Sequence, residues 1–140
     1  MLLPAVFRGN LATAVDDVEA LREVEAVLSE WAEPDWEWAM VGPDYAPGQQ
    51  GFNGRGLDEF RRAWRDWMEP YESYEIEPDE AIDAGDSVVM LVRQVAKTRT
   101  GGVEVENLGA AVVWVRDRRL HKVEFHLDRD AAMKAAGLSE

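Results

Sequence analysis

The fold is decided by the stretch from Asp86 to Leu127, which reads DSVVMLVRQVAKTRTGGVEVENLGAAVVWVRDRRLHKVEFHL. It predicts three long strands over residues 87–98, 103–116 and 119–127, because each segment is rich in Val and other strand-forming residues. The pair Gly101–Gly102 is typical of a two-residue hairpin turn between the first two strands. These three strands would form the antiparallel centre of a sheet.

The position of this turn predicts a register for the first hairpin. With Gly101–Gly102 at the tip, Arg99 faces Glu104 and Lys97 faces Glu106. Opposite charges directly across two antiparallel strands stabilise their pairing, so this register is favourable.

Because strand side chains alternate, the register divides them between two faces. We predict that helices cover the bulkier face, which collects Val89, Leu91, Arg93, Val95, Leu108, Ala110, Val112, Trp114, Val123, Phe125 and Leu127. The opposite face collects Met90, Val92, Gln94, Asn107, Gly109, Ala111, Val113, Lys122, Glu124 and His126. Its centre is too apolar for free solvent, which indicates a second use such as a dimer contact.

Composition limits the classes of function. The 140 residues carry a net charge of −13, which argues against nucleic acid and anionic membrane partners. With no Cys and two His, we expect no disulfide, no metal and no cofactor. The sequence lacks an apolar run of membrane-spanning length and a convincing signal peptide, so one cytoplasmic domain over residues 1–140 is expected. The six Trp indicate either a bulky core or an aromatic-lined cavity.

Helical patterns flank the strands. An apolar stripe from Val18 to Trp31 predicts an amphipathic helix with Asp16 or Asp17 as its N-cap, and Pro34 ends it. A second such stripe predicts a helix over Leu57–Met68. The remaining predicted elements are a strand at 35–41, a loop at 42–51, an acidic strand at 71–84 with a bulge or edge at Pro78, and a short helix at 129–136.

Four segments in this order resemble the SnoaL-like group of the nuclear transport factor 2-like, or ketosteroid isomerase-like, superfamily. They are AEPDWEW (32–38), GFNGRGLDEFRRAW (51–64), AIDAGDSVVMLVRQ (81–94) and LDRDAAMKAAGL (127–138). The resemblance implies an α+β cone, with a curved antiparallel sheet and three helices on its concave face. It also implies a pocket there and a homodimer through the outer sheet face, to which we assign Gln94, Gly109, Ala111 and His126.

The resemblance does not imply one activity, because this fold supports many. Its members include ketosteroid isomerases, polyketide cyclases, epoxide hydrolases and proteins that only bind. By resemblance the isomerase base falls on Ala39 or Met40 and the second acid near Ala110, so both acids are replaced. We expect a ligand site formed by Trp38, Met40, Phe60, Trp64, Arg93, Leu108, Ala110 and Phe125.

Arg93 is the polar exception on the predicted inner face, and it allows two interpretations. It could bind a ligand carboxylate or carbonyl oxygen, and it would then resemble the Arg that the epoxide hydrolases of this superfamily use between two Asp, although the flanking Asp residues are missing here. Alternatively it pairs with a structural acid such as Glu106 or Glu37, since a buried Arg needs a partner.

His126 and Glu124 are weak catalytic candidates, because the carboxylate could orient the imidazole. Our register puts both on the outer face, where His126 would be a dimer contact. If the faces are swapped, Gln94, Asn107, Glu124 and His126 form an inner polar site and His126 becomes the base. His121 lies five residues away and faces the other side, so the two His cannot share a metal.

The sequence therefore predicts a protein that binds a small, largely apolar molecule, with a carboxylate or carbonyl oxygen at Arg93. One alternative is an enzyme of the isomerase, polyketide cyclase or epoxide hydrolase type. The other is a structural or assembly module whose pocket is filled by its own aromatic side chains.

Overall fold

A six-stranded sheet forms the centre of the computed structural model, which describes residues 10–14, 16–41 and 53–138. The helices are α1 (Leu11–Ala14), α2 (Val18–Trp31), α3 (Gly56–Met68) and α4 (Arg129–Ala135). The strands are β1 (Ala32–Val41), β2 (Asn53–Arg55), β3 (Tyr71–Asp83), β4 (Ser87–Thr98), β5 (Glu104–Arg116) and β6 (Arg119–His126). The predicted loop at 42–51 lies outside the described residues.

The sheet has the strand order β2-β1-β6-β5-β4-β3. Neighbouring strands are antiparallel except for β1 and β6, which run parallel. The sheet is curved and does not close, and β-bulges interrupt β1, β3 and β6. The predicted α+β class and curved sheet are confirmed, and so is the edge position of Pro78, which precedes a bulge in β3.

Helices α2 and α4 begin where the sequence provides Asp caps. The carboxylate of Asp17 accepts hydrogen bonds from the backbone N–H groups of Glu19 and Ala20 at 2.9 and 3.2 Å. Asp128 caps α4 in the same way through Asp130. Helices α1, α2 and α3 pack on one face of the sheet, which we call the inner face. Helix α4 packs on the opposite, outer face over Val89, Ala110 and Val112.

The first hairpin differs from the predicted register. Lys97 faces Glu104 instead of Glu106, and the turn spans four residues from Arg99 to Gly102. Arg99 is held outside the ladder, because its N–H donates to the carbonyl of Pro70 at 2.9 Å. The shift moves the pairing by two residues. Because this is an even number, the same side chains of β4 and β5 share a face as in the predicted register.

The second hairpin differs in a way that changes the faces. Arg116 pairs with Arg119 at the turn, as the regular register requires, but Trp114 pairs with Lys122. His121 is therefore an extra residue in β6, a β-bulge. Beyond it, every side chain of β6 lies on the opposite face from the one that a regular hairpin would give.

Candidate functional site

A cavity of about 170 Å³ lies between the helices and the inner face of the sheet. Its wall is almost wholly apolar. The described residues that line it are Leu11, Val24, Val27, Leu28, Trp36, Phe60, Trp64, Trp67, Ile76, Met90, Val92, Gln94, Ala110, Ala111, Val113, Leu120, Val123 and Phe125.

Aromatic side chains of α3 form part of the helical side of the cavity, and α1 and α2 add Leu11, Val24, Val27 and Leu28. Phe60, Trp64 and Trp67 follow one another at helical spacing and therefore face the sheet together. The ring of Phe60 stacks on that of Phe125 from β6, with centroids 5.8 Å apart and an interplanar angle of 21°. This contact joins the helix to the sheet at one side of the cavity.

Small residues on β5 leave the space that the cavity occupies. Ala111 lies between Met90 and Phe125 in the sheet and carries one methyl group toward the helices. Gly109 faces the same side, beside Val92. A larger residue at position 111 would reach into the cavity, whereas a Cβ at position 109 would meet the carbonyl oxygen of His126 and the amide of Gln94.

Gln94 is the one polar residue among the described residues that line the cavity. Its amide oxygen accepts a hydrogen bond from the hydroxyl of Tyr74 on β3, and both side chains are buried. Gly109 makes room for the amide, because a Cβ at that position would lie 2.7 Å from Gln94 Nε2. Apart from the indole N–H groups of Trp36, Trp64 and Trp67, the Gln94 amide is therefore the one hydrogen-bonding group among the described residues that line the cavity.

The prediction that Arg93 lines the pocket is wrong. Arg93 lies on the outer face, where it pairs with Glu106 at 2.8 Å and Glu77 at 3.6 Å. The hydrogen bond and the charge of Arg93 lower the pKa of the Glu106 carboxyl below its ordinary value. The alternative interpretation, in which Arg93 pairs with a structural acid, is thus confirmed, and the acid is Glu106.

The bulge at His121 explains this error. The regular hairpin placed Phe125 beside Ala110 and, through the first hairpin, on the same face as Arg93. In the structure Phe125 pairs with Ala111, which shares its face with Gln94. Phe125 is inside as predicted, but β4 and β5 present the opposite set of side chains to the helices.

Other predicted ligand residues divide between the two faces. Phe60, Trp64 and Phe125 line the cavity. Trp38 and Met40 are buried in the inner core, outside the set that lines the cavity. The prediction that Leu108 lines the pocket is wrong, since Leu108 pairs with Arg93 on the outer face and is 51% exposed.

Ala110 lines the cavity although its side chain packs elsewhere. Its methyl group belongs to the core cluster on the outer face, under α4. By resemblance, the second acid of the ketosteroid isomerases falls near Ala110. The residue that pairs with Ala110 in β6 is His126. The base position was assigned to Ala39 or Met40, of which Met40 is buried in the inner core.

His126 and Glu124 lie on the outer face, as the sequence predicted, and their side chains do not line the cavity. His126 Nε2 is 3.0 Å from the Glu124 carboxylate, which Lys122 also approaches at 3.2 Å. The imidazole is 97% buried because it lies opposite Ala110, in the part of the sheet that α4 covers. Both side chains lie away from the cavity, so the geometry gives the pair no access to a ligand there.

Three of the four residues assigned to a dimer contact are on the wrong face. Gln94 and Ala111 line the cavity, and Gly109 faces the buried amide of Gln94. The physical reason is again the bulge, which turns this set of side chains toward the helices. His126 is on the outer face but buried within the chain.

The sequence places Gln94 in the site only in the alternative with swapped faces. That alternative is correct for the face of Gln94 and Asn107, of which Gln94 lines the cavity, and wrong for Glu124 and His126. No group of acidic or His residues suited to a metal ion occurs within residues 10–14, 16–41 and 53–138. In the same residues, no helix is long and apolar enough to cross a membrane.

Comparison with known protein families identifies the family to which this fold belongs. The model of the SnoaL-like domain family matches residues 14–123. The chain therefore belongs to the SnoaL-like domain family. No match was found among curated proteins.

Solved structures with the same fold are distant in sequence. An NTF2-like protein of unknown function from Burkholderia pseudomallei is 20% identical, with a TM-score of 0.62 over 89% of this chain and 92% of its own. An NTF2-like protein from Burkholderia thailandensis is 23% identical, with a TM-score of 0.61 over 92% and 96%. TerC, crystallised with polyporic acid, is 21% identical, with a TM-score of 0.61 over 91% and 92%. At these identities the likeness establishes the fold alone.

Proposed function

We propose that this protein binds a small, largely apolar organic molecule in the cavity between α3 and the inner face of the sheet. The observation that carries the proposal is a cavity of about 170 Å³ whose described wall is aromatic and aliphatic except for Gln94. Ligand pockets in proteins combine such apolar walls with a few polar groups that fix orientation.

The volume restricts the size of the ligand. An apolar cavity of about 150 Å³ is sufficient to bind benzene, whereas drug-sized molecules occupy about 300 Å³ or more. A molecule with one substituted aromatic ring would fit this cavity without rearrangement of the helices. That TerC, which shares the fold, was crystallised with polyporic acid supports a binding role for this scaffold.

A titration with α-methylstyrene, a neutral one-ring hydrocarbon, tests the proposal. Trp36, Trp64 and Trp67 line the cavity, so binding should change the tryptophan emission in a saturable manner. Ala111→Phe should abolish this change, because the added ring occupies the cavity. Ala135→Phe, which adds the same ring to an exposed position on α4, is the matched control and should leave the titration unchanged.

Two results would contradict the proposal. One is a titration of the folded protein without a saturable change. The other is an unchanged titration after Ala111→Phe, which would mean that the hydrocarbon binds elsewhere.

A structural or assembly role is the second candidate, and the small volume favours it. A cavity below about 300 Å³ is smaller than most ligand sites. The described residues that line it include no carboxylate, imidazole, Lys or Arg. An isomerase or hydrolase reaction needs a base or an oxyanion donor at such a site, so no observation in the described residues favours the enzymatic alternatives.

We further propose that the chain forms a homodimer through the outer face, as predicted, but through different residues. Leu108 is exposed there beside the half-buried Leu91 and Val95, and Arg93 and Glu106 lie among them. Equilibrium sedimentation should give twice the mass of the chain for the wild type and the mass of one chain for Leu108→Asp. A wild type that sediments as a single chain would refute this assignment.

The cytoplasmic location remains a prediction from the sequence.

A further inference from the structure

The hydrogen bonds of Gln94 leave a donor at the wall of the cavity. Its amide oxygen accepts from the Tyr74 hydroxyl with one lone pair, so the donors that this side chain still offers are the two N–H groups on Nε2. Within the part of the chain that the structure describes, no acceptor lies at hydrogen-bond distance from Nε2. Because Gln94 borders the cavity, a molecule bound there can supply an acceptor for these N–H groups.

Asn107 can satisfy at most one of these two groups. It lies opposite Gln94 across β4 and β5, and its buried Oδ1 has no donor among the described residues. Both atoms lie near Gly109, where a Cβ would be 2.7 Å from Gln94 Nε2 and 3.1 Å from Asn107 Oδ1. If the amide turns toward Asn107, its second N–H still needs an acceptor, and Gln94 borders the cavity.

The charges around the cavity restrict what this acceptor can be. The described wall contains no cation, and Arg93, the next residue along β4, pairs with acids on the other face. An anion in the cavity would lose its hydration without gaining an ion pair, which costs far more than one hydrogen bond returns. A carboxylate ligand, which the sequence suggested for Arg93, is therefore disfavoured.

The geometry points to an uncharged ligand with a single acceptor oxygen, which the Gln94 amide binds. Aryl ketones, aldehydes and ethers belong to this chemical class. This inference rests on the proposed binding function and adds to it the polarity and charge of the ligand. Gln94 is thereby assigned as the residue that distinguishes such a molecule from a hydrocarbon of the same shape.

Three one-ring probes test the inference by isothermal titration calorimetry at neutral pH. Acetophenone and α-methylstyrene have the same shape and differ in a carbonyl oxygen against a methylene group, while benzoate carries the anion. The quantity to compare is the ratio of the Kd for acetophenone to that for α-methylstyrene, because the ratio within one protein removes their common apolar contribution.

Replacement of Gln94 should change this ratio. Gln94→Met should raise it about threefold to tenfold, the effect of one net hydrogen bond. Because Gln94→Met deprives Tyr74 of its acceptor, the double variant Tyr74→Phe/Gln94→Met is measured as well and should give the same increase. Tyr74→Phe alone retains the amide, and Arg93→Met changes the neighbouring residue on the other face, so both should leave the ratio unchanged.

The outcomes separate this inference from the proposed function. If the wild type binds neither neutral probe, the binding function itself is refuted. If it binds α-methylstyrene but the folded Gln94 variants keep the wild-type ratio, binding stands and the role of Gln94 is refuted. Benzoate that binds as tightly as acetophenone would refute the requirement for an uncharged ligand.

Discussion

The inner and outer faces of the sheet are filled by different means. On the inner face, large aromatic residues come from the helices and small residues from β5, and a cavity remains between them. On the outer face the sheet itself supplies charged pairs such as Arg93 with Glu106, and α4 packs directly on Ala110 and Val112. The comparison shows that the inner face has space for a ligand, whereas the outer face has ion pairs and a helix packed directly on the sheet.

A single residue decides which side chains belong to each face. His121 is the extra residue in β6, and beside it Glu33 of β1 accepts hydrogen bonds from Arg116 at 2.6 and 3.1 Å. Glu33 also lies 3.5 Å from the His121 imidazole. The irregularities of β1 and β6 therefore lie beside the same carboxylate, that of Glu33. Beyond them the two strands pair in a regular register.

Deletion of His121 should give the largest effect. Without the extra residue, a regular register would turn Val123 and Phe125 to the outer face. Removing two such side chains from the core costs about 3–6 kcal/mol, so the deletion variant should unfold at much lower urea concentration or fail to fold.

The control for this deletion is His121→Ala, which keeps the length of β6 and removes the imidazole. Its cost should stay near the level of a surface substitution, about 0.5 kcal/mol. Equal urea midpoints for the deletion and for His121→Ala would show that the bulge does not set the faces.

Substitution of two adjacent alanines by Leu should give the next largest effect on the free energy of unfolding. Ala110→Leu places three extra carbons in the packed cluster under α4 and should lower the free energy of unfolding by about 1–3 kcal/mol. Ala111→Leu directs the same carbons into the cavity and should cost less than about 1 kcal/mol. Urea unfolding of both variants measures the difference, and a reversed order would place the empty space on the outer face.

The smallest effect concerns the outer ion pair. Arg93 lowers the pKa of Glu106 in the folded state below the ordinary value of 4.5. A carboxyl whose folded pKa is lowered contributes stability that is fully present above its unfolded pKa and is lost as the pH falls through the folded pKa. Arg93→Gln should return the Glu106 pKa toward 4.5 and remove this acid-sensitive contribution.

An NMR titration of the Glu106 side-chain carboxyl carbon in wild type and Arg93→Gln measures this shift directly. Both side chains are about half exposed, so the effect on stability should also weaken in high salt. If the Glu106 pKa is the same in the two proteins, Arg93 does not face it.

The sequence was sufficient to predict the long strands, helices α2, α3 and α4 and the fold, because these depend on local patterns, but it did not predict the short strand β2. The caps at Asp17 and Asp128 follow from residue type and spacing. The long strands follow from runs of β-branched residues, and Ser87–Thr98 has the predicted bounds. Four segments in family order were enough to predict the SnoaL-like fold.

The site was predicted less well, because it depends on one irregularity in the backbone. The sequence RDRRLHKVEF is equally compatible with a regular strand and with a bulged one. The packing of Val123 and Phe125 against α3 selects the bulge, and that is a tertiary preference. Arg93 was assigned inward and Gln94 outward for this reason alone.

The central claim is that Phe125 shares its face with Ala111 and Gln94, while His126 shares its face with Ala110 and Arg93. Nuclear Overhauser effects between the two alanine methyl groups and the side chains of β6 test it most directly. The account predicts a strong effect from the Ala111 methyl to the Phe125 ring and from the Ala110 methyl to the His126 ring. Strong effects from Ala110 to Phe125, with none from Ala111, would show a regular hairpin and contradict the assignment of the site.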